Sequence, residues 1–202
     1  MRLQIHTGIP DVSLDAVVPE YTRAKKAQGL SEKEYYGKKG LPVLWLLNGA
    51  FGSSGDWMRY SQIELFAEEN GLIVACPSGE NGAYVNAVRG AAWEDIVTIK
   101  LWGLVHTMLP SSVDPKDNFI AGLSMGGYGA LRLGLKYPDR YSRIGSFSGG
   151  VDIAGRYAAG TFSAPGRACR AATLTCSPFF RSAPRRGESC RPFTSPAGRR
   201  TR

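Results

Sequence analysis

The chain has 202 residues, of which 43% are hydrophobic, an ordinary composition for a globular protein with one core. Its net charge of +8 is confined to one end: residues 1–152 hold 15 Lys and Arg against 16 Asp and Glu, whereas residues 153–202 hold 10 Arg and one acid. The folded part therefore offers no basic surface, and no nucleic-acid partner is expected. The start of the chain lacks an apolar signal-like stretch, and no run approaches the roughly 18 residues of a membrane span, which predicts a cytoplasmic protein without a membrane partner.

The first predicted unit is a strand, a helix and a second strand. The continuous apolar runs LPVLWLLN at 41–48 and GLIVACP at 71–77 are typical of strands buried on both faces of a sheet. Between them, apolar residues recur at helical spacing over 56–70, with Asp56 as a possible N-cap and Gly71 as the stop. This pattern predicts a β-α-β unit.

The same alternation continues along the chain. Residues 91–110 carry a largely apolar helical stripe, DNFIAGL at 117–123 predicts a third strand, residues 125–138 predict another helix, and residues 141–150 predict a fourth strand. Strands that alternate with helices predict an α/β fold with a doubly wound, mostly parallel sheet.

The segment after Ile153 has a different composition. It contains no Val, Ile, Met, Trp or Lys, and its only Leu is Leu174. Such a segment cannot bury enough apolar surface to offset the entropy of ordering it, so residues 153–202 are expected to form an irregular or disordered, low-complexity basic tail. A shift of reading frame near residue 153 is the preferred interpretation, and a basic arm for nucleic acid or a genuine but unusual C-terminus are the alternatives.

A G-x-S-x-G motif, Gly122-Leu123-Ser124-Met125-Gly126, lies between the third predicted strand and the following helix. This context is that of a nucleophile elbow, in which a tight turn exposes a reactive serine; an ordinary glycine-rich β-α turn is the alternative. An oxyanion hole would take one backbone N–H from Met125 and one from the loop after the first predicted strand. In that loop Ala50 is the first candidate, and Phe51 is left open.

Three segments together resemble a known family: LPVLWLLNGAFGSSGDW, GLIVACPSGENGAYVN and NFIAGLSMGGYGALRLGLKYPDRYSRIGSFSGG. They are similar to the esterase family of the α/β-hydrolase superfamily, which includes tributyrin esterase, S-formylglutathione hydrolase and feruloyl and acetylxylan esterases. The resemblance implies a C-terminally incomplete α/β-hydrolase domain over residues 1–152, with Ser124 as nucleophile and Ala50 and Met125 as oxyanion donors. Asn48 departs from the pattern, since many members have His there.

The other members of a catalytic triad are not evident. In this fold the acid and then the histidine follow the serine, but no His follows Ser124. His106 is expected on the flank of a packed helix, and His6 in an unanchored N-terminal segment. The acids after the fourth predicted strand are Asp152, which comes too early, and Glu188.

The sequence therefore predicts a serine carboxylesterase by lineage, acting on short-chain acyl or carbohydrate esters, whose activity in this chain is weak or absent. One alternative is a non-catalytic pseudo-esterase whose basic tail contacts an anionic partner, and another is a site completed by a second chain. No cofactor is expected, and the four Cys lack the CxxC spacing of a zinc site. The oligomeric state is not indicated.

Overall fold

The computed structural model describes residues 1–9, 12–37, 39–87 and 90–151 of the chain. The predictions about Asp152, Glu188 and the basic tail lie outside the described residues.

Six strands form a single sheet in the order β1-β2-β4-β3-β5-β6. Their bounds are β1 Arg2–His6, β2 Ser13–Val17, β3 Val43–Leu47, β4 Ile73–Pro77, β5 Asn118–Leu123 and β6 Arg143–Phe147. Strand β3 pairs in parallel with β4 and β5, and β5 pairs in parallel with β6, whereas β1 and β2 are antiparallel to their neighbours. The mostly parallel α/β sheet and its four predicted strands are confirmed.

The central strands are buried on both faces, as their continuous apolar runs indicate. All five residues of β4 are buried. In β3, Trp45 and Leu47 belong to one apolar cluster, and Leu46 belongs to a second cluster on the opposite face. Strands β3 and β4 are therefore covered on both faces, as in a doubly wound fold.

Strands β1 and β2 form an N-terminal hairpin that the sequence patterns above do not predict. His6 lies opposite Ser13 in this hairpin, so the expectation of an unanchored N-terminal segment is wrong. The reason is visible in the burial: Leu14 and Ala16 are fully buried and attach β2 to the core, while β1 is held on its outer side. The alternation of Leu3 and Ile5 with polar neighbours was the available signal.

The first long helix predicted, over 56–70, is two helices. Short helices α1 Arg23–Ala27 and α2 Glu32–Tyr36 precede it, and the predicted segment itself forms α3 Asp56–Tyr60 and α4 Ile63–Asn70. Ser61 is extended (φ −142°) and breaks the helix. On the first of the two helices Met58 is buried, whereas Tyr60, beside the break, is 78% exposed. Gly71 ends α4 in the left-handed conformation (φ 60°), as predicted.

The predicted helix of residues 91–110 begins as α5 Trp93–Asp95, continues as a π-helical segment over Ile96–Leu101, and ends as α6 Trp102–Met108. Val97, Leu101 and Val105 of its apolar stripe are fully buried, whereas Met108, at the end of the stripe, is 58% exposed. A short 3₁₀ turn at Pro115–Asp117 leads into β5, and α7 Met125–Lys136 follows it. None of the helices in the described part of the chain is both long and apolar enough for a transmembrane span.

Candidate active site

Ser124 occupies the single-residue junction between β5 and α7. Its backbone has φ 53° and ψ −111°, a conformation that L side chains rarely adopt and that costs on the order of 1–3 kcal/mol. Two backbone hydrogen bonds hold it there: the Ser124 N–H donates to Phe147 O (2.8 Å), and the Tyr128 N–H donates to Ser124 O (3.0 Å). This strained strand-turn-helix junction has the geometry of a nucleophile elbow.

The two glycines of the motif allow a close approach of backbones. A Cβ at Gly122 would lie 2.3 Å from Gly126 O, and a Cβ at Gly126 would lie 2.3 Å from Leu47 O. Neither distance is compatible with a side chain, so the first turn of α7 packs directly on the end of β3. This packing brings the loop after β3 next to Ser124.

The loop after β3 contacts the serine through Gly49. A Cβ built at Gly49 would lie 3.5 Å from Leu123 O and 3.8 Å from Ser124 Cβ, which are ordinary contact distances. In the described part of the chain no acceptor lies within hydrogen-bond distance of the Ala50 N–H. The Met125 N–H, at the first position of α7, has no acceptor within the helix. The structure thus brings Ser124, Ala50 and Met125 into one small region.

Phe51, the alternative donor, is committed elsewhere. Its N–H donates to Asn81 Oδ1 at 2.8 Å, and its backbone has φ 61°. Of the two candidate amides in this loop, only that of Ala50 is therefore without an acceptor among the described residues.

Asn48, at the position where the family pattern has His, is 1% exposed, and both polar atoms of its side chain make hydrogen bonds. Its Oδ1 accepts from the Gly79 N–H (2.9 Å) and from the Tyr84 hydroxyl (2.7 Å), and its Nδ2 donates to Gly49 O (2.8 Å). Asn48 therefore connects the loop after β3 with the loop after β4.

His106 lies near the opposite end of the sheet from Ser124. Its Nδ1 lies 2.7 Å from Ser111 Oγ, its ring packs against Trp102 with centroids 4.4 Å apart, and burial lowers its pKa. Ser111 pairs with Leu41, just before the start of β3, whereas Ser124 follows the carboxyl ends of the strands. The six residues of β5 span the distance between the two ends of the sheet, which is about 20 Å at about 3.3 Å per residue.

His6 is also far from the serine. It is exposed at the end of β1, and four strand spacings separate β1 from β5, about 19 Å in total. Neither histidine can reach Ser124 Oγ, so within the described ranges the serine has no histidine partner.

A buried carboxylate, Glu94, was not singled out from the sequence. It is 3% exposed and pairs with Arg132 (2.6 Å) and Lys136, and it accepts from the Tyr137 hydroxyl (2.6 Å). Burial alone would raise the pKa of Glu94, but the hydrogen bonds from Lys136, Tyr137 and Arg132 outweigh it and lower the pKa. Two features of the sequence indicate such a network. Glu94 is an acid within a largely apolar helix, and Arg132 and Lys136 lie one turn apart on α7. The network ties α5 to the helix that begins beside Ser124.

An open cleft of about 500 Å³ borders the loop that contains Ala50, through Phe51 and Gly52. Phe51, which is 84% exposed, and Trp93 contribute its aromatic walls, and Ser124 is not among its lining residues. Tyr84 and Trp93 are both buried in the core (0% and 4% exposed), and Trp93 also borders this cleft. The described residues contain no cluster of three or more potential metal ligands.

Comparison with known proteins decides the lineage. The sequence profile of the family described as "Putative esterase" matches residues 31–183, three quarters of the chain. The chain belongs to this esterase family. The match extends past residue 152, the boundary expected for the hydrolase domain.

Individual members of the esterase family agree with this assignment. An acetyl esterase of Caldicellulosiruptor saccharolyticus is 32% identical over 139 residues, which cover 68% of this chain and 50% of the relative. The solved structure of a fluorophosphonate-binding serine hydrolase of Staphylococcus aureus matches with a TM-score of 0.58 and 31% identity, covering 70% of this chain and 53% of the other. An S-formylglutathione hydrolase from the same organism matches with a TM-score of 0.62 and 26% identity, over 86% and 65%. The chain spans about half the length of the acetyl esterase and of the fluorophosphonate-binding serine hydrolase.

Proposed function

We propose that this chain carries the nucleophile and the oxyanion hole of a serine carboxylesterase, with Ser124 as nucleophile and the Ala50 and Met125 amides as oxyanion donors. The observation that carries the proposal is the strained backbone of Ser124 (φ 53°), which lies between β5 and the N-terminus of α7 and against the Gly49 loop. Strain of this kind persists where the surrounding structure enforces it and is concentrated at functional sites.

The chemistry follows from these positions. The Ser124 hydroxyl oxygen loses its proton and bonds to the acyl carbonyl carbon, and the carbonyl oxygen becomes an oxyanion between the two backbone N–H groups. The ester C–O bond then breaks, and the leaving oxygen takes up a proton to give the alcohol. Water then attacks the acyl-serine and releases the acid. Each oxyanion donor contributes about 3–4 kcal/mol to the stabilisation of the tetrahedral intermediate. No metal ion or organic cofactor takes part in any of these steps.

Within the described residues, this site lacks a general base for the proton transfers. A serine hydroxyl is a poor nucleophile at neutral pH without a general base, and neither His6 nor His106 can take that role. Loss of a triad member costs several orders of magnitude in rate and leaves the residual contribution of the oxyanion hole and of binding. We therefore expect weak or no ester hydrolysis by this chain.

The substrate class is inferred from the relatives. The names acetyl esterase and S-formylglutathione hydrolase describe enzymes that act on small acyl groups. We accordingly propose a small-molecule or carbohydrate ester with a short acyl chain as the substrate.

The experiment is an assay of the purified chain with p-nitrophenyl acetate. The expected result is slow turnover that disappears in Ser124→Ala and is unchanged in the matched variant Ser142→Ala, at the amino end of β6. A measurable turnover that is equal in the Ser124→Ala variant and in the unchanged chain would contradict the role of Ser124. Turnover at the level of an intact esterase, lost in Ser124→Ala, would contradict the proposed impairment.

A further inference from the structure

The peptide group between Gly49 and Ala50 is anchored at its carbonyl oxygen. Gly49 O accepts a hydrogen bond from Asn48 Nδ2 (2.8 Å) and a second from the Gly52 N–H (3.2 Å). Because a trans peptide is planar, with C=O and N–H pointing in opposite directions, fixing the oxygen also fixes the direction of the Ala50 N–H. The side chain of Asn48 therefore acts on the amide that follows it by two residues.

Asn48 is itself held in one orientation. The Gly79 N–H needs an acceptor, so the side-chain oxygen of Asn48 must face Gly79 and its NH₂ must face Gly49 O. The Tyr84 hydroxyl bonds to the same oxygen, and the Tyr84 ring packs so closely on α7 that a Cβ at Gly129 would lie 2.5 Å from it. The anchor of the Ala50 amide is thus built into the packing of the elbow helix.

We propose that Asn48 is a positioning residue that aims the Ala50 N–H at the oxyanion, a role that rests on the function proposed above. The position requires one donor and two acceptor contacts at once, which a carboxamide supplies. A carboxylate supplies the acceptor contacts without the donor, and a neutral imidazole supplies one of each. The Met125 N–H, in contrast, is aimed by α7 and is independent of Asn48.

This difference between the two amides allows a direct test by NMR on the full ¹⁵N-labelled chain. The probe is phenylboronic acid at mildly alkaline pH, which adds to the serine: a bond forms between Ser124 Oγ and boron, the hydroxyl proton goes to the solvent, and the tetrahedral boron carries the negative charge. An oxygen on boron then stands where the oxyanion would be. In the unchanged chain we expect the Ala50 and Met125 amide protons to move downfield together.

The variants separate positioning from folding. Asn48→Asp keeps the size and the acceptor contacts and loses the donor to Gly49 O; Asn48→Ala loses all three contacts, and Asn48→His keeps a donor. We expect the Ala50 response to be at least halved in the Asp and Ala variants and retained in the His variant, with the Met125 response unchanged throughout. In the matched control Asn81→Ala, the Phe51 amide signal should move and the Ala50 response should remain.

The outcomes are distinguishable. An Ala50 response that is the same in Asn48→Asp as in the unchanged chain, while Met125 responds, overturns the positioning role and leaves the proposed function intact. Absence of both responses in the unchanged chain overturns the proposed oxyanion hole, and the positioning role with it.

Discussion

At the scale of single residues, Ser124 has a backbone conformation that is unfavourable for any residue with a side chain. Its backbone lies at φ 53°, where glycine is the residue with the least strain. The neighbouring glycines, by contrast, are required by packing, because a Cβ at either Gly122 or Gly126 would collide with backbone atoms. The serine therefore costs stability at a position where the fold would accept glycine.

This strain gives a stability prediction. We expect Ser124→Gly to unfold at a higher denaturant concentration than Ser124→Ala, with a free energy of unfolding about 1 kcal/mol greater, because glycine relieves the positive φ and alanine retains it. Urea unfolding followed by circular dichroism measures the difference. For Ser142, outside this conformational region, the Gly variant should be the less stable of the pair. Equal stability of Ser124→Gly and Ser124→Ala would show that the serine backbone is not strained.

At the scale of elements, the helix that begins with α5 is joined to α7 by the buried carboxylate of Glu94. Arg132, 11% exposed, is the main partner, whereas Lys136 is half exposed and its contribution is reduced by solvent screening. Because the folded-state pKa of Glu94 is lowered, the network contributes stability that is fully present above the unfolded pKa of 4.5. This contribution is lost as the pH falls below 4.5 through the folded-state pKa.

Removing the negative charge of Glu94 should lower the stability of the fold by an amount that depends on pH. We expect Glu94→Gln to lower the free energy of unfolding by about 3 kcal/mol at pH 7, because the Arg132 guanidinium loses its buried counter-charge. The difference in the free energy of unfolding between the variant and the unchanged chain should become smaller below pH 4.5. Thermal unfolding from pH 7 to pH 3 measures this difference. Glu69→Gln, an exposed neutralisation on α4, is the matched control and should have little effect. A gap that is independent of pH would argue against a native carboxylate at position 94.

At the scale of the whole molecule, β6 forms one edge of the sheet, with no strand on its outer side among the described residues. Four of its five residues are exposed, and large apolar side chains at or near it, Leu123, Ile144, Phe147 and Val151, are between 37% and 54% exposed. An exposed edge with apolar side chains is a template for pairing with another chain.

We therefore expect self-association that increases with protein concentration and weakens in Phe147→Lys, since a charge on an edge strand opposes pairing. Light scattering across a concentration series measures the mass. Val113→Lys, at an exposed apolar residue between α6 and β5, is the control and should associate like the unchanged chain. A constant monomeric mass at all concentrations would contradict this expectation.

The sequence was sufficient for features that depend on local pattern and insufficient for those that depend on distant partners. The parallel strands, the elbow and Gly71 were predicted because apolar runs and glycine chemistry are local signals. The local sequence does not distinguish the Ala50 amide from the Phe51 amide, because the difference depends on a hydrogen bond to Asn81, 30 residues away. The break at Ser61 interrupts a pattern that reads as one continuous helix, and burial of Tyr60 or Met58 depends on it.

The glycines and the serine of G-x-S-x-G would be preserved during evolution for different reasons. Gly122 and Gly126 are needed for α7 to pack on β5 and β3, so a descendant that had lost catalysis would still retain them. Ser124 has no such support from the fold, and its strained backbone would favour replacement by glycine once selection on the hydroxyl ended. Within this motif the glycines are therefore expected to persist with the fold alone, whereas the serine is expected to persist only under selection for the proposed chemistry.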